Sequence, residues 1–179
     1  MQKQNKLHNK TKSKIFLLVT LLTFAFNSFA QQNPSWANWS WLIGEWKGEG
    51  GGQPGQGGGT FSFQPDLDGK ILVRKSHSEY PASSSRPAIV HTDLMIVSLD
   101  NGGNPTKAIY FDNEGHTINY TISYEPNTII LLSDKIQNTP FFRLTYSLLD
   151  NNEVNIRFEM SQDGEKFTTY IEGKSAKVK

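Results

Sequence analysis

Val154-Asn155-Ile156-Arg157-Phe158-Glu159-Met160 alternates apolar and polar residues without a break. A period of two places successive side chains on opposite faces of an extended chain, so Val154, Ile156, Phe158 and Met160 share one face and Asn155, Arg157 and Glu159 the other. This is the signature of a strand with one face against a core and the other toward water. Ile118, Tyr120, Ile122 and Tyr124 repeat the pattern against Thr117, Asn119, Thr121 and Ser123.

Turn-forming residues punctuate the chain at Asp68-Gly69, Asn101-Gly102-Gly103, Asn113-Glu114-Gly115, Pro126-Asn127, Asp150-Asn151-Asn152 and Asp163-Gly164. The segments between them predict about ten strands, near 45–51, 59–65, 69–79, 89–99, 105–112, 115–124, 127–135, 140–149, 153–162 and 165–173. Short strands joined by tight turns form an antiparallel meander, and a long meander removes its edges by closing into an up-and-down barrel. An immunoglobulin-like sandwich competes, but the number and brevity of the connections weigh against it. The expected fold is therefore all-β, with one helix between Pro34 and Ile43 for which Ser35 is the candidate N-cap. Trp36, Trp39, Trp41 and Trp46, all the tryptophans of the chain, lie in and just after that helix. Such a concentration of large rings suits a plug closing one barrel end better than a ligand-stacking platform.

Leu42-Ile43-Gly44-Glu45-Trp46-Lys47-Gly48-Glu49-Gly50 is more specific than composition. Its Gly-x-Trp after a short helix resembles the first strand of calycins, the lipocalin and fatty-acid-binding-protein group. The longer Leu-x-Gly-x-Trp-x-Gly-x-Gly is similar to nitrobindin-type barrels and to an exported bacterial family of unknown function. Leu67-Asp68-Gly69-Lys70-Ile71, Phe142-Arg143-Leu144-Thr145-Tyr146 and Met160 to Phe167 agree with that bacterial family, so the resemblance spans nearly the whole chain after residue 30. It implies a ten-stranded calycin-like barrel with an internal cavity. In lipocalins an Arg covers the conserved indole; no Arg follows Arg157 here, and Lys174 or Lys177 is the candidate replacement. Nitrobindin-like proteins hold haem through a late histidine. This chain has none after His116, so the resemblance carries over no haem ligand and no cofactor is expected.

The 179 residues carry 18 Lys+Arg against 17 Asp+Glu, a net charge of +1. Lys3, Lys6, Lys10, Lys12 and Lys14 fall in the first thirty residues, which hold no acid. Residues 31–179 thus have 13 bases, 17 acids and a net charge of −4. An acidic body lacks the concentrated basic field of a nucleic-acid or anionic-membrane binder. The lysines precede an apolar run, Ile15 to Phe26, and then Ser28-Phe29-Ala30, the three-part grammar of a secretory signal. A dozen apolar residues are too few to span a bilayer core of ~30 Å. Residues 1–30 are thus expected to be a signal peptide, and 31–179 a single barrel domain, monomeric or weakly dimeric, in the periplasm or extracellular medium. The absence of Cys excludes disulfides, a lipoprotein anchor, thiolate zinc and a cysteine nucleophile.

Candidate chemistry is sparse. Gly48 to Gly59 contains a formal Gly-x-Gly-x-x-Gly, but Pro54 and the lack of a following helix favour a hairpin loop at the barrel mouth. His77-Ser78-Glu79 and His91-Thr92-Asp93 each put an imidazole and a carboxylate on one strand face, which suits exposed rim positions or, if they converge, acid–base or metal chemistry. Arg143 and Arg157 are candidates for holding a carboxylate, by resemblance to inward Arg and Tyr in fatty-acid-binding barrels, although alternation sets both opposite their apolar neighbours. Tyr120, Tyr124, Tyr146, Phe158 and Met160 share parity with apolar residues and, with Arg143, form the expected ligand lining. The expected function is non-covalent binding of a small apolar or amphipathic molecule. A hydrolase or isomerase using His77, His91 or His116, and a structural or partner-binding barrel, are the alternatives.

Overall fold

In the computed structural model, which describes residues 34–49, 59–80, 82, 87–150 and 152–178, the two-residue alternation is realised as ten antiparallel strands. They are β1 (Gly44–Gly48), β2 (Thr60–Asp66), β3 (Ile71–Tyr80), β4 (Ile89–Leu99), β5 (Pro105–Asp112), β6 (Thr117–Glu125), β7 (Thr128–Ser133), β8 (Phe141–Asp150), β9 (Glu153–Ser161) and β10 (Thr168–Val178). Each pairs with its neighbours in sequence, and β1 pairs with both β2 and β10, closing the barrel. Closure satisfies the backbone donors and acceptors that an open sheet would leave at its edges. The expected signal peptide and most of the glycine-rich loop lie outside the described residues.

Closure also fixes which residues face inward. Trp46 on β1 lies opposite Phe61 on β2 and Lys177 on β10. From there the inward parity passes through Phe63, Arg74, Met95, Tyr110, Ile118, Leu131, Leu144, Phe158 and Ile171. Strand β10 outruns its expected end near residue 173, because Ser175 to Val178 pair along β1. A register shift between Thr169 and Ile171 leaves Tyr170 exposed.

Within the span of the expected short helix the chain forms a six-residue 3-10 helix, Pro34–Trp39. So short a segment cannot repay α-helix nucleation, and its side chains are held by packing instead. Trp36 and Trp39 are buried in the same core cluster as Leu42, Trp46, Phe61, Phe63, Leu72 and Val97. Their indole donors are all paired: Trp36 Nε1 to the Gly69 carbonyl at 2.8 Å, Trp39 Nε1 to the Tyr124 hydroxyl at 2.9 Å and Trp46 Nε1 to the Leu42 carbonyl at 2.8 Å. Burying side chains of this size contributes roughly 1.5–3 kcal/mol each, provided the polar tip is satisfied. Gly44 takes φ +131, and a Cβ there would stand 3.0 Å from Lys177 Cε. Glycine is therefore required where the chain leaves the tryptophan segment for β1.

Candidate functional site

Burial along the inward faces is graded. At the tryptophan end, Trp39, Trp46, Phe63, Leu72, Val97, Ile129 and Val154 are fully buried. Toward the opposite end, where the β5–β6, β7–β8 and β9–β10 connections lie, inward-facing Tyr110, Ile118, Phe142, Ile156, Phe158 and Met160 are only half-buried. An inward side chain of a closed barrel reaches water only through the interior. Phe142 and Phe158 stack there, with ring centroids 5.7 Å apart and planes 9° from parallel.

Between the two zones lies a polar cluster built on β3, β4 and β5. Arg74 shares parity with Leu72 and is opposite Phe63 and Met95. Asp93 is inward two residues from Met95, diagonal to Arg74, a spacing within reach of a long side chain. The Arg74 guanidinium donates through Nη1 to Asp93 Oδ1, and both side chains are nearly withdrawn from solvent, 10% and 5% exposed. Arg74 also lies over the Phe61 ring, 5.5 Å from its centroid. Burial lowers the guanidinium's affinity for its proton, but the fields of Tyr146 and Asp93 outweigh it, so the net shift is upward and the group is a fixed cation.

From Asp93 the network runs to the rim. His91 Nε2 is 3.7 Å from Asp93 Oδ2 and 3.2 Å from the Tyr110 hydroxyl, while its Nδ1 is 3.1 Å from Glu114 Oε1. Tyr110 donates to Asp112 Oδ2 at 3.3 Å, and His116 Nδ1 is 2.9 Å from the same oxygen. Burial, then the neighbouring Asp93 and Asp112, push the Tyr110 hydroxyl far up, so it stays protonated. For Asp112 burial acts upward but is overcome by hydrogen bonds from His116 and from the Glu114 amide, and the carboxyl sits below its ordinary range.

Among the described residues, two buried polar atoms of the interior have no hydrogen-bond partner: Arg74 Nε and the Tyr146 hydroxyl. Tyr146 is fully buried on β8, its ring 6.2 Å from Phe61 and 5.5 Å from Phe63. Burial pushes its hydroxyl up to about 12. Arg74 and Tyr146 thus converge on one ring, Phe61, from opposite walls.

The residues expected to line a ligand site divide. Tyr120, Tyr146, Phe158 and Met160 face inward, whereas Tyr124 is inward at the tryptophan end, accepting from Trp39 and donating to the Pro105 carbonyl at 2.6 Å. Arg143 is corrected: it lies on the outer wall, donates through Nε to Glu159 Oε2 at 2.7 Å and stacks on Phe167 at 4.0 Å. Alternation with Phe142 and Leu144 is the physical reason. Arg157 shares that outer wall and the same carboxylate, at 3.4 Å. Among the described residues the inward arginine is Arg74, turned inward by its pairing opposite Phe63 and Met95.

Nor do the imidazoles converge. His77 is outward and exposed beside Glu79, His116 is 63% exposed on the β5–β6 connection, and among the described histidines only His91 faces the interior. Among the described residues no group of three or more His, Asp or Glu is arranged to hold a metal ion. The fold and this site define a closed ten-stranded antiparallel barrel with a mixed polar and aromatic interior, consistent at the level of fold with a calycin-like protein. The chain matches no known family model and no curated protein.

Proposed function

We propose that this chain is an exported, monomeric or weakly dimeric barrel that takes a small apolar or amphipathic molecule, without covalent attachment, into the end of its interior away from the tryptophans. The observation that carries the reading is the partial exposure of Phe142, Ile156, Phe158 and Met160, which face the inside of a closed barrel. Apolar surface held in that state is stabilised by covering it, at roughly 25 cal/mol per Å² removed from water. The tryptophan turn closes the other end, so a ligand enters past the β7–β8 and β9–β10 connections.

Native mass spectrometry of the protein purified from its own host, before and after organic extraction, tests this directly. A co-purifying small molecule lost on extraction is the expected result. Uptake of a neutral apolar dye such as Nile red, with a fluorescence rise blocked by Phe158→Arg, is the complementary one. A protein that carries nothing and admits no dye overturns the reading.

A further inference from the structure

Resting on the ligand-binding reading above, we infer that the polar end of the ligand is an uncharged hydrogen-bond acceptor, a ketone, ester or amide carbonyl, received by Arg74 Nε and the Tyr146 hydroxyl. The starting point is that both atoms are buried donors without a partner. Native interiors satisfy nearly all such groups, and an orphan donor loses its hydration with nothing in return. A ligand acceptor placed between Arg74 and Tyr146, both of which pack against Phe61, would satisfy the two together. The third unpartnered atom, Arg157 Nε, is on the outer wall within 3.4 Å of Glu159 and belongs to a different environment.

The surrounding charges decide which acceptor. Arg74 is the cation of the inner cluster and Asp93 already neutralises it. Asp112, its side chain 4% exposed, adds a second carboxylate beyond Tyr110, and Glu114 faces His91 from the rim. Three carboxylates, Asp93, Asp112 and Glu114, thus stand against the one guanidinium around the orphan donors. An incoming carboxylate, phosphate or sulfonate would lose its hydration and meet no unpaired cation, the arrangement in which burying a charge is most costly. A carbonyl oxygen offers two lone pairs for two donors and sheds far less hydration. The Tyr146 hydroxyl remains a donor at any ordinary pH because burial holds it protonated. Arg74 Nε, by contrast, is unable to accept, so an alcohol, whose oxygen can accept from both donors but whose own O–H then finds no acceptor in them, is served less well than a carbonyl.

The test is displacement of Nile red at about pH 8 by tridecan-2-one, dodecanoate and tridecane. The ketone is expected to displace the dye at concentrations about 10-fold below those of dodecanoate and about 5-fold or more below those of the alkane. Tyr146→Phe should bring the ketone to the level of the alkane, leave the alkane unchanged, and leave the melting temperature equal or higher, since it removes an unsatisfied hydroxyl. Arg74→Lys, which keeps a cation for Asp93 but lacks Nε–H, should have the same selective effect. Dodecanoate displacing as well as the ketone, or Tyr146→Phe weakening ketone and alkane alike, overturns the inference while the barrel stays a binder of apolar molecules. Failure of the dye to enter at all overturns the ligand-binding reading itself, and this inference with it.

Discussion

Lys177 Nζ stands 5.2 Å from the centre of the Trp46 ring and donates to the Trp41 carbonyl at 3.2 Å. One cation thus joins the last strand to the first at the seam where the barrel closes, and ties both to the tryptophan segment. A cation over a buried indole contributes on the order of 1 kcal/mol, and the hydrogen bond a similar amount. Lys177→Met keeps the aliphatic stem and removes both, so it is expected to destabilise by about 1–2 kcal/mol. Lys177→Arg should restore most of that. Urea denaturation of the three proteins checks it, and a Met variant as stable as the parent refutes the seam role.

Tyr124 separates ligand lining from scaffold. Its hydroxyl accepts from Trp39 and donates to Pro105, so Tyr124→Phe leaves the buried Trp39 Nε1 without an acceptor. The expected loss is about 1–3 kcal/mol in stability, with Nile red uptake unchanged. A variant that folds as stably but takes up less dye would place Tyr124 in the site instead.

These residues also mark how far the sequence was readable. Strand limits followed from two-residue alternation and turn residues, which are local, and the observed strands agree closely except at the end of β10. There Gly173-Lys174 reads as a stop, but the strand continues because β1 offers it a partner, a long-range fact. Arg74 escaped for a similar reason. From Ile71 to Tyr80 apolar residues occupy both parities at first and neither is consistently apolar later, so no face is assigned locally. Only the pairing to Phe63 and Met95 turns Arg74 inward. Arg143 was legible by alternation with Phe142 and Leu144, and the resemblance to fatty-acid-binding barrels pulled against that correct signal. The short helix read between Pro34 and Ile43 takes the 3-10 form over Pro34–Trp39, with Trp36 and Trp39 packed into the core.

Glu159 holds the outer wall together at one carboxylate. The hydrogen bond from Arg143 is the main cause of its lowered pKa, and the Arg157 charge adds to it. A group whose folded pKa lies below its unfolded value, here near 4.5, contributes stability that is complete above that pH and is lost as pH falls through the folded value. Both arginines are partly solvated, which limits the effect. Glu159→Gln is expected to destabilise by about 1 kcal/mol at pH 7, with the gap to the parent closing in acid. Equal spacing of the two proteins' denaturation midpoints at pH 7 and pH 3 would rule this out.

Gly59 immediately precedes β2, the strand whose Phe61 lies opposite Trp46. It has φ +109, and a Cβ would lie 2.2 Å from the His77 carbonyl oxygen, while Gly48 N donates to the Gly59 carbonyl at 2.9 Å. Neither the dihedral nor the backbone oxygen can yield cheaply. Gly59→Ala is expected to destabilise by more than about 2 kcal/mol. Gly115 is the control: its φ is +91, but a Cβ meets nothing within 4 Å, so Gly115→Ala carries only the dihedral penalty, about 1–2 kcal/mol. Thermal melts that rank the two variants in the opposite order would sink the argument from backbone approach.

Asp163 organises the β9–β10 connection, at the barrel end away from the tryptophans. Its Oδ1 accepts from the Glu165 amide at 2.8 Å, the Lys166 amide at 2.9 Å and the Ser161 hydroxyl at 2.8 Å. The two amides, Lys166 first, and then the hydroxyl, hold the carboxyl down at about 2 against an ordinary 3.8. The turn's stabilisation is therefore complete above pH 3.8 and disappears as pH falls through about 2. Hydrogen exchange at the Glu165 and Lys166 amides reads this locally: protection relative to unstructured chain should drop between pH 4 and pH 2 in the parent. In Asp163→Ala it should be low throughout, and in Asp163→Asn intermediate and independent of pH, since an amide oxygen accepts but does not titrate. Because the turn borders the half-buried Phe158 and Met160, the Ala variant should also admit and release Nile red faster at an unchanged equilibrium affinity. Protection that ignores both pH and substitution would show that strand pairing, not this carboxylate, sets the turn.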